Sequence, residues 1–397
     1  MVTLHKHKPK MIAPAVAVLL LAGMATSAPQ TDNAALLYYQ ACLLYGQPDG
    51  ALDQMLSDFR DGKITSNEAI RKHIEANRFV IGYVVKAAGL PRCDWGYDYS
   101  QGLDITLTHL STIRRITFLL AADARLLAEQ GDYRIALDRC MTIHKMALHQ
   151  TDRMAITYLM GVGMSALANR TIQDLLINIS GEAETLNLIK TQLSQAQDAF
   201  PSLQYAMTQE GQVCAASIRK EKAQDVVRDM GQDDKGLDAS PAGARILAGD
   251  EAFFERNRTH WSNAIAAIVA VLDSKLPYPQ MRAKLDEFAN QMTETSKNDP
   301  DATFAGFLLP GTSRIYLLTT RLQGQFNALR VATDLYAIQA RTGRLPDVLP
   351  ADAPGDPFSG KAFGYEKAND HFTLRCQAKE GPEKAEANHY EFKVKHD

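Results

Sequence analysis

Five cysteines in 397 residues (Cys42, Cys93, Cys140, Cys214 and Cys376) include no CxxC pair, so neither a zinc knuckle nor a thioredoxin-like redox pair is supported. No hydrophobic run is long: the most apolar stretch, Met11 to Met24, contains Pro14 and falls short of the roughly 20 residues a membrane-spanning helix needs. Positive charge is not in surplus either. Lys plus Arg total 43 against 46 for Asp plus Glu, which argues against a general binder of nucleic acid or anionic membrane. The chain is not short of apolar residues, at 46% hydrophobic and 22% charged, and this excludes a long disordered protein.

What is present begins with an address. Lys6, Lys8 and Lys10 precede the apolar stretch, and small residues follow through Ala28, the order of a secretory signal. Residues 1–28 are therefore expected to be a signal peptide, cleaved after Ala25, Ser27 or Ala28, and the protein to be exported to the periplasm, the cell surface or the medium. An N-terminal membrane anchor is the alternative, and only then is membrane contact expected. Leu21-Ala22-Gly23 is followed by Met24 and not by cysteine, so a lipoprotein is not expected. Removing the three lysines leaves 40 basic against 46 acidic residues, a balance of −6.

Beyond the signal the hydrophobic period is helical almost everywhere, and the predicted class is mainly α: an irregular bundle or solenoid of antiparallel helix pairs. A first helix runs from Ala34 to Tyr45 and stops at Gly46-Gln47-Pro48. Thr65 and Glu68 have capping-box spacing and open a helix to about Ala88. From His109, Leu110, Ile113, Thr117, Leu120, Ala124 and Leu127 form one apolar side, with Arg114, Arg115, Asp123 and Arg125 off it. After Gly131-Asp132-Tyr133 comes a second stripe, Ala136, Cys140, Ile143 and Ala147. This pair resembles one tetratricopeptide-type unit over about 34 residues, but one period later Tyr158 and Arg170 occupy the small-residue positions, so no regular array is expected. Further helices are predicted over 154–178, 183–197, 203–228, 251–276, 281–296 and 314–342, with a flexible loop or linker over 229–249. Gly343 caps the last helix and Pro346 stops it. The period then changes to two around Phe363, Tyr365 and Lys367, around Phe372 and Leu374, and around Tyr390, Phe392 and Val394, predicting a small antiparallel sheet. The domain division is 1–28, 29–313, and 314–397 for the long helix with its β module.

Thr342-Gly343-Arg344-Leu345-Pro346, Asp356-Pro357-Phe358-Ser359-Gly360-Lys361 and Tyr365, together with Cys93-Asp94-Trp95-Gly96, His109-Leu110-Ser111 and Arg114, resemble a group of exported, mostly helical bacterial proteins of unassigned function. Their C-terminal segment is similar to the globular end of type II secretion pseudopilins. The resemblance implies an architecture and no chemistry. No pilin-type methylation signal is present, and Gln377-Ala378-Lys379-Glu380 stands where pseudopilins often carry an Asp-rich calcium loop.

Gly355 to Lys361 spells the start of a P-loop, yet Pro357 lacks an N–H, Ala362 replaces the magnesium-binding hydroxyl and a strand pattern follows, so nucleotide binding is not expected. His144 and His149 lie some 140° apart around a helix at about 100° per residue and cannot share a metal. Glu251 and Glu255 share a helical face, where Arg258 and the positive helix end explain them. No cofactor and no metal are expected. Cys140 and Cys214 read as buried small residues, and Cys42 and Cys93 are the candidates for a disulfide. The retained constellation is the loop with Asp94, Trp95, Tyr97, Asp98 and Tyr99. It offers aromatic faces and carboxylates for a glycan or a cationic peptide; the competing reading is that Trp95 plugs a gap between helix pairs and the aspartates cap turns. The expected function is an exported, non-catalytic helical scaffold or binding protein of the cell envelope, with an envelope protein or a glycan as partner. The alternative is an envelope hydrolase whose acids come from separate helices.

Overall fold

Side-chain caps set many of the helix starts. Asn33, Asp49, Asn67, Ser202, Ser240 and Asp250 each accept a backbone N–H from the first turn that follows, satisfying donors the helix leaves orphaned. The computed structural model describes residues 32–230, 240–308, 311–377 and 388–394; the expected signal segment 1–28 lies outside them. The helices are α1 (Ala34–Leu44), α2 (Gly50–Arg60), α3 (Glu68–Ala76), α4 (Arg78–Ala88), α5 (Leu110–Glu129), α6 (Tyr133–Gln150), α7 (Ala155–Leu175), α8 (Ala183–Ala199), α9 (Leu203–Ala215), α10 (Ala223–Met230), α11 (Pro241–Ala248), α12 (Glu251–Asp273), α13 (Tyr278–Asn298), α14 (Thr303–Leu308) and α15 (Thr312–Thr342). Strands β1 (Gly364–Lys367), β2 (His371–Arg375) and β3 (His389–Lys393) follow. The protein is mainly helical with antiparallel helix packing and a small antiparallel sheet at its C-terminal end.

Several boundaries differ from the sequence expectation. Asn67, not Thr65, caps α3, its Oδ1 accepting from Ile70 N at 2.9 Å. The helix expected to continue to Ala88 breaks at Asn77, whose buried amide turns aside to bond both the N–H and the carbonyl of Gly46. Helix α2 lies in a stretch for which the sequence period predicts no element. Within the expected loop 229–249, residues 231–239 lie outside the described residues, but 241–248 form α11, with Ser240 as cap and Pro241 in the first turn.

The stripes also divide. On α6, Ala136 and Cys140 face one apolar cluster while Ile143 and Ala147 face another; on α5, Leu120 belongs with the latter and Ala124 and Leu127 with the former. Helices α5, α6 and α7 are thus the seam between an N-terminal core under α1, α3 and α4 and a larger core that continues through α15 into the sheet. Asp123, expected off the apolar side, is 1% exposed. Arg139 bonds it at 2.8 Å from the next helix and Arg78 stands 3.8 Å away, which makes its burial tolerable.

The sheet runs in the order β1-β2-β3, with Tyr365 opposite Leu374 and Phe372 opposite Phe392. Tyr336 of α15 meets Phe372 edge-on at 5.4 Å and donates from its hydroxyl to Lys393 O at 2.5 Å. A three-stranded sheet is marginal alone, and here it shares its apolar face with the helical core. Gly343 closes α15 in the left-handed conformation (φ 74°), as a Gly cap requires. In the Asp-Pro turn, Asp356 is buried and its carboxylate accepts from Phe358 N, Ser359 Oγ and Gln377 N. Lys361 points into solvent.

Candidate functional site

The loop between α4 and α5 is shaped by short polar turns, not by a helical period. Asp94 is exposed; its Oδ1 accepts from Gly96 N, its Oδ2 pairs with Arg92 at 3.1 Å, and its backbone N and O are clamped by the Asn33 amide. Asp98 is exposed too, accepting from Ser100 N and Oγ and from Gln101 Nε2. The bonds from Ser100 and Gln101 hold its carboxyl below the usual range. Both aspartates are engaged in turning the chain.

The aromatic residues of the loop turn inward and join residues the sequence reading did not place at this site. Tyr38, Trp95, His109 and Tyr97 form a stack of four rings. Their successive centroids are 5.5, 4.2 and 5.7 Å apart and the interplanar angles are 20°, 15° and 22°. Tyr39 stands edge-on to both Trp95 and His109. Trp95 is 4% exposed, and its indole N–H donates to His149 O at 2.8 Å, while Tyr39 OH donates to Trp95 O. Tyr38 OH lies 3.0 Å from His149 Nδ1, and Tyr97 OH lies 2.8 Å from His109 Nε2. The stack therefore ties α1, the loop, the start of α5 and the end of α6 together, a use of aromatic rings in which offset faces and satisfied polar edges both contribute.

Burial sets the electrostatics. It lowers the His109 imidazole to about 4 and raises the Tyr97 phenol, so at neutral pH the pair is an uncharged imidazole beside an uncharged phenol. Tyr99, half-buried, donates from its hydroxyl to Asp152 Oδ2, and the Arg153 guanidinium lies over its ring at 4.7 Å. Cys42 and Cys93 are free thiols, half-buried, with burial pushing them up to about 11 and about 12. Neither is a reactive thiolate near neutral pH. Cys140 and Cys214 are buried thiols.

The expected site residues are thus only partly brought together. Trp95 and Tyr97 join the stack, Tyr99 leans on the α6–α7 turn, and Asp94 and Asp98 face solvent. Sequence reasoning missed Tyr38, Tyr39 and Asp152, met His109 only within the resemblance and at a helix start, and weighed His149 only as a metal ligand. Adjacent tyrosines inside an otherwise aliphatic helix were the one available signal. Among the described residues no three His, Cys, Asp or Glu side chains gather as a metal site would, and no helix is long and apolar enough to cross a membrane. His144 is buried against Phe326, well apart in role from His149. Glu255 bonds Arg258, and Glu251 lies 3.9 Å from the same guanidinium.

Beside the stack lies open space. Between the N-terminal parts of α5 and α7 lies a groove of about 510 Å³ lined by Leu110, Arg114, Phe118, Ile156, Met160 and Gly163, among others. Volumes of this order accept ligands or side chains of a partner. A second open groove, about 750 Å³, lies between α9 and α12 and is lined largely by small and aliphatic residues. Compared with protein-family models, curated proteins and solved structures, the chain matches none of them.

Proposed function

We propose that this protein is an exported helical scaffold of the cell envelope that binds another protein and performs no catalysis. The observation that carries the reading is how the chemistry-bearing loop is used. Its rings are committed to joining helices and its carboxylates to turning the chain, while the neighbouring surface between α5 and α7 is open and apolar. Exposed apolar grooves on a rigid frame are suited to association with a partner. The secretory pattern at residues 1–28 supports the compartment. The resemblance of the Gly343 to Tyr365 segment to pseudopilin ends supports an envelope setting, with the Asp356 turn acting as a structural knot.

The test is affinity isolation of the tagged full chain from fractionated cells of its native host after mild crosslinking. The expected result is recovery in the envelope fraction with a protein partner at near-equal amount, unaffected by His109→Phe. Recovery in the cytoplasm overturns the compartment. Hydrolysis of an envelope polymer that His109→Phe or Asp152→Asn abolishes, without loss of folding, overturns the non-catalytic reading in favour of a hydrolase.

A further inference from the structure

We infer that the groove between α5 and α7 docks an amphipathic helix of a partner protein that carries an acidic side chain opposite Arg114. This rests on the binding-scaffold reading and narrows it to one surface and one kind of partner. Helices α5, α6 and α7 follow one another through short turns and pack closely, so α5 and α7 run in the same direction with α6 beside both. A third helix laid between them would bury its apolar face in the way helices in grooves do.

The lining suits that occupant. Ile156 is 58% exposed although apolar neighbours flank it. Met160 is a soft, adaptable contact of the kind used on binding surfaces. Gly163 leaves a gap: a Cβ built there meets nothing within 4 Å, so an incoming side chain has room. The groove is open to solvent. A lone acyl chain gains most from enclosure on all sides, which this surface does not offer.

Charge selects the acidic residue. Two guanidinium groups lie over the Phe118 ring, Arg60 at 4.4 Å and Arg114 at 5.5 Å from its centroid. Arg60 is paired with Asp61 at 3.5 Å and bonds Ser57. Arg114 is exposed and pairs with no carboxylate among the described residues. A guanidinium at the lip of an apolar groove, steadied over an aromatic ring, is complementary to a carboxylate carried by the docked segment.

The experiment places the photo-crosslinking residue p-benzoylphenylalanine at Ile156 of the full chain in its native host. As a reference it is placed at Thr208, on the α9–α12 groove, and the crosslinked peptides are sequenced. The expected product at Ile156 is a segment with apolar residues at helical i, i+3 or i+4 and i+7 spacing and an acidic residue beside them. Its yield should fall at least tenfold with Arg114→Glu, fall less with Arg114→Gln, and recover with Arg114→Glu when the partner's acid is changed to Lys. A lipid adduct, a segment without an acid, indifference to Arg114→Glu, or absence of the charge-swap recovery overturns the inference. Protein crosslinks at Thr208 with none at Ile156 remove this groove while leaving the scaffold reading; no protein crosslink at either position removes both.

Discussion

His109 stacks face to face on Trp95, with ring centroids 4.2 Å apart and planes 15° from parallel. The ring is buried there, and burial disfavours its protonation.

The sign follows from the lowered pKa. Burial holds His109 at about 4 in the folded protein, against about 6.5 in the unfolded chain. The unfolded state therefore binds more protons between those values, and the stabilisation is full above pH 6.5 and lost as pH falls toward 4. His144, lowered to about 3 by burial, adds to the same trend. Each group contributes a slope of about 1.4 kcal/mol per pH unit inside its window. Thermal melts at pH 7.5, 6 and 5 should show a falling midpoint, and His109→Phe should flatten the decline; an unchanged pH profile in that variant would contradict the assignment.

Trp95→Ala should cost about 3–5 kcal/mol, the range for emptying a buried indole site. It removes the centre of the stack together with the bond to His149 O. Urea denaturation reads this directly. Phe79→Ser, at a side chain that is 80% exposed, should stay within about 0.5 kcal/mol.

Gly102 has φ 64°, and a Cβ there would lie 2.0 Å from Ser217 Oγ. That hydroxyl also accepts from Leu103 N at 2.6 Å. Gly102→Ala should therefore destabilise by about 2 kcal/mol or more through clash and backbone strain. Adding Ser217→Gly should relieve part of the clash, so that the double variant loses less than the two single changes together.

Asp356→Ala should loosen the C-terminal module by about 3 kcal/mol, since it strands three donors around a buried site. Hydrogen exchange at the β2 amides is the measurement, and faster exchange there is expected before any change in α1–α5. Phe372→Asp should act in the same direction and more strongly, because it buries a charge against Tyr336 and Phe392. Lys361→Ala should leave the melting midpoint unchanged and produce no change in an ATP titration; an ATP signal dependent on Lys361 would reverse the assignment of this turn.

Local chemistry alone was enough to read the helical class, the Gly343 cap and the switch from a period of 3.6 to a period of 2 after Pro346, because caps, turns and hydrophobic spacing act over a few residues. It misled where local signals were near-equal. Asn67 outcompeted Thr65 as cap, and Asn77 broke a helix because its amide found Gly46 from another part of the chain. The single stripe read on α6 became two faces because neighbours cover the helix on both sides. The candidate loop shows the same division. Composition marked Trp95, Tyr97 and Tyr99 as unusual, but only packing decided that Trp95 lies between Tyr38 and His109, residues 57 positions before it and 14 after it in sequence. Such stacking depends on where helices cross, which no spacing rule records. The groove beside Arg114 is likewise lined from two helices at once, legible in neither helix by itself.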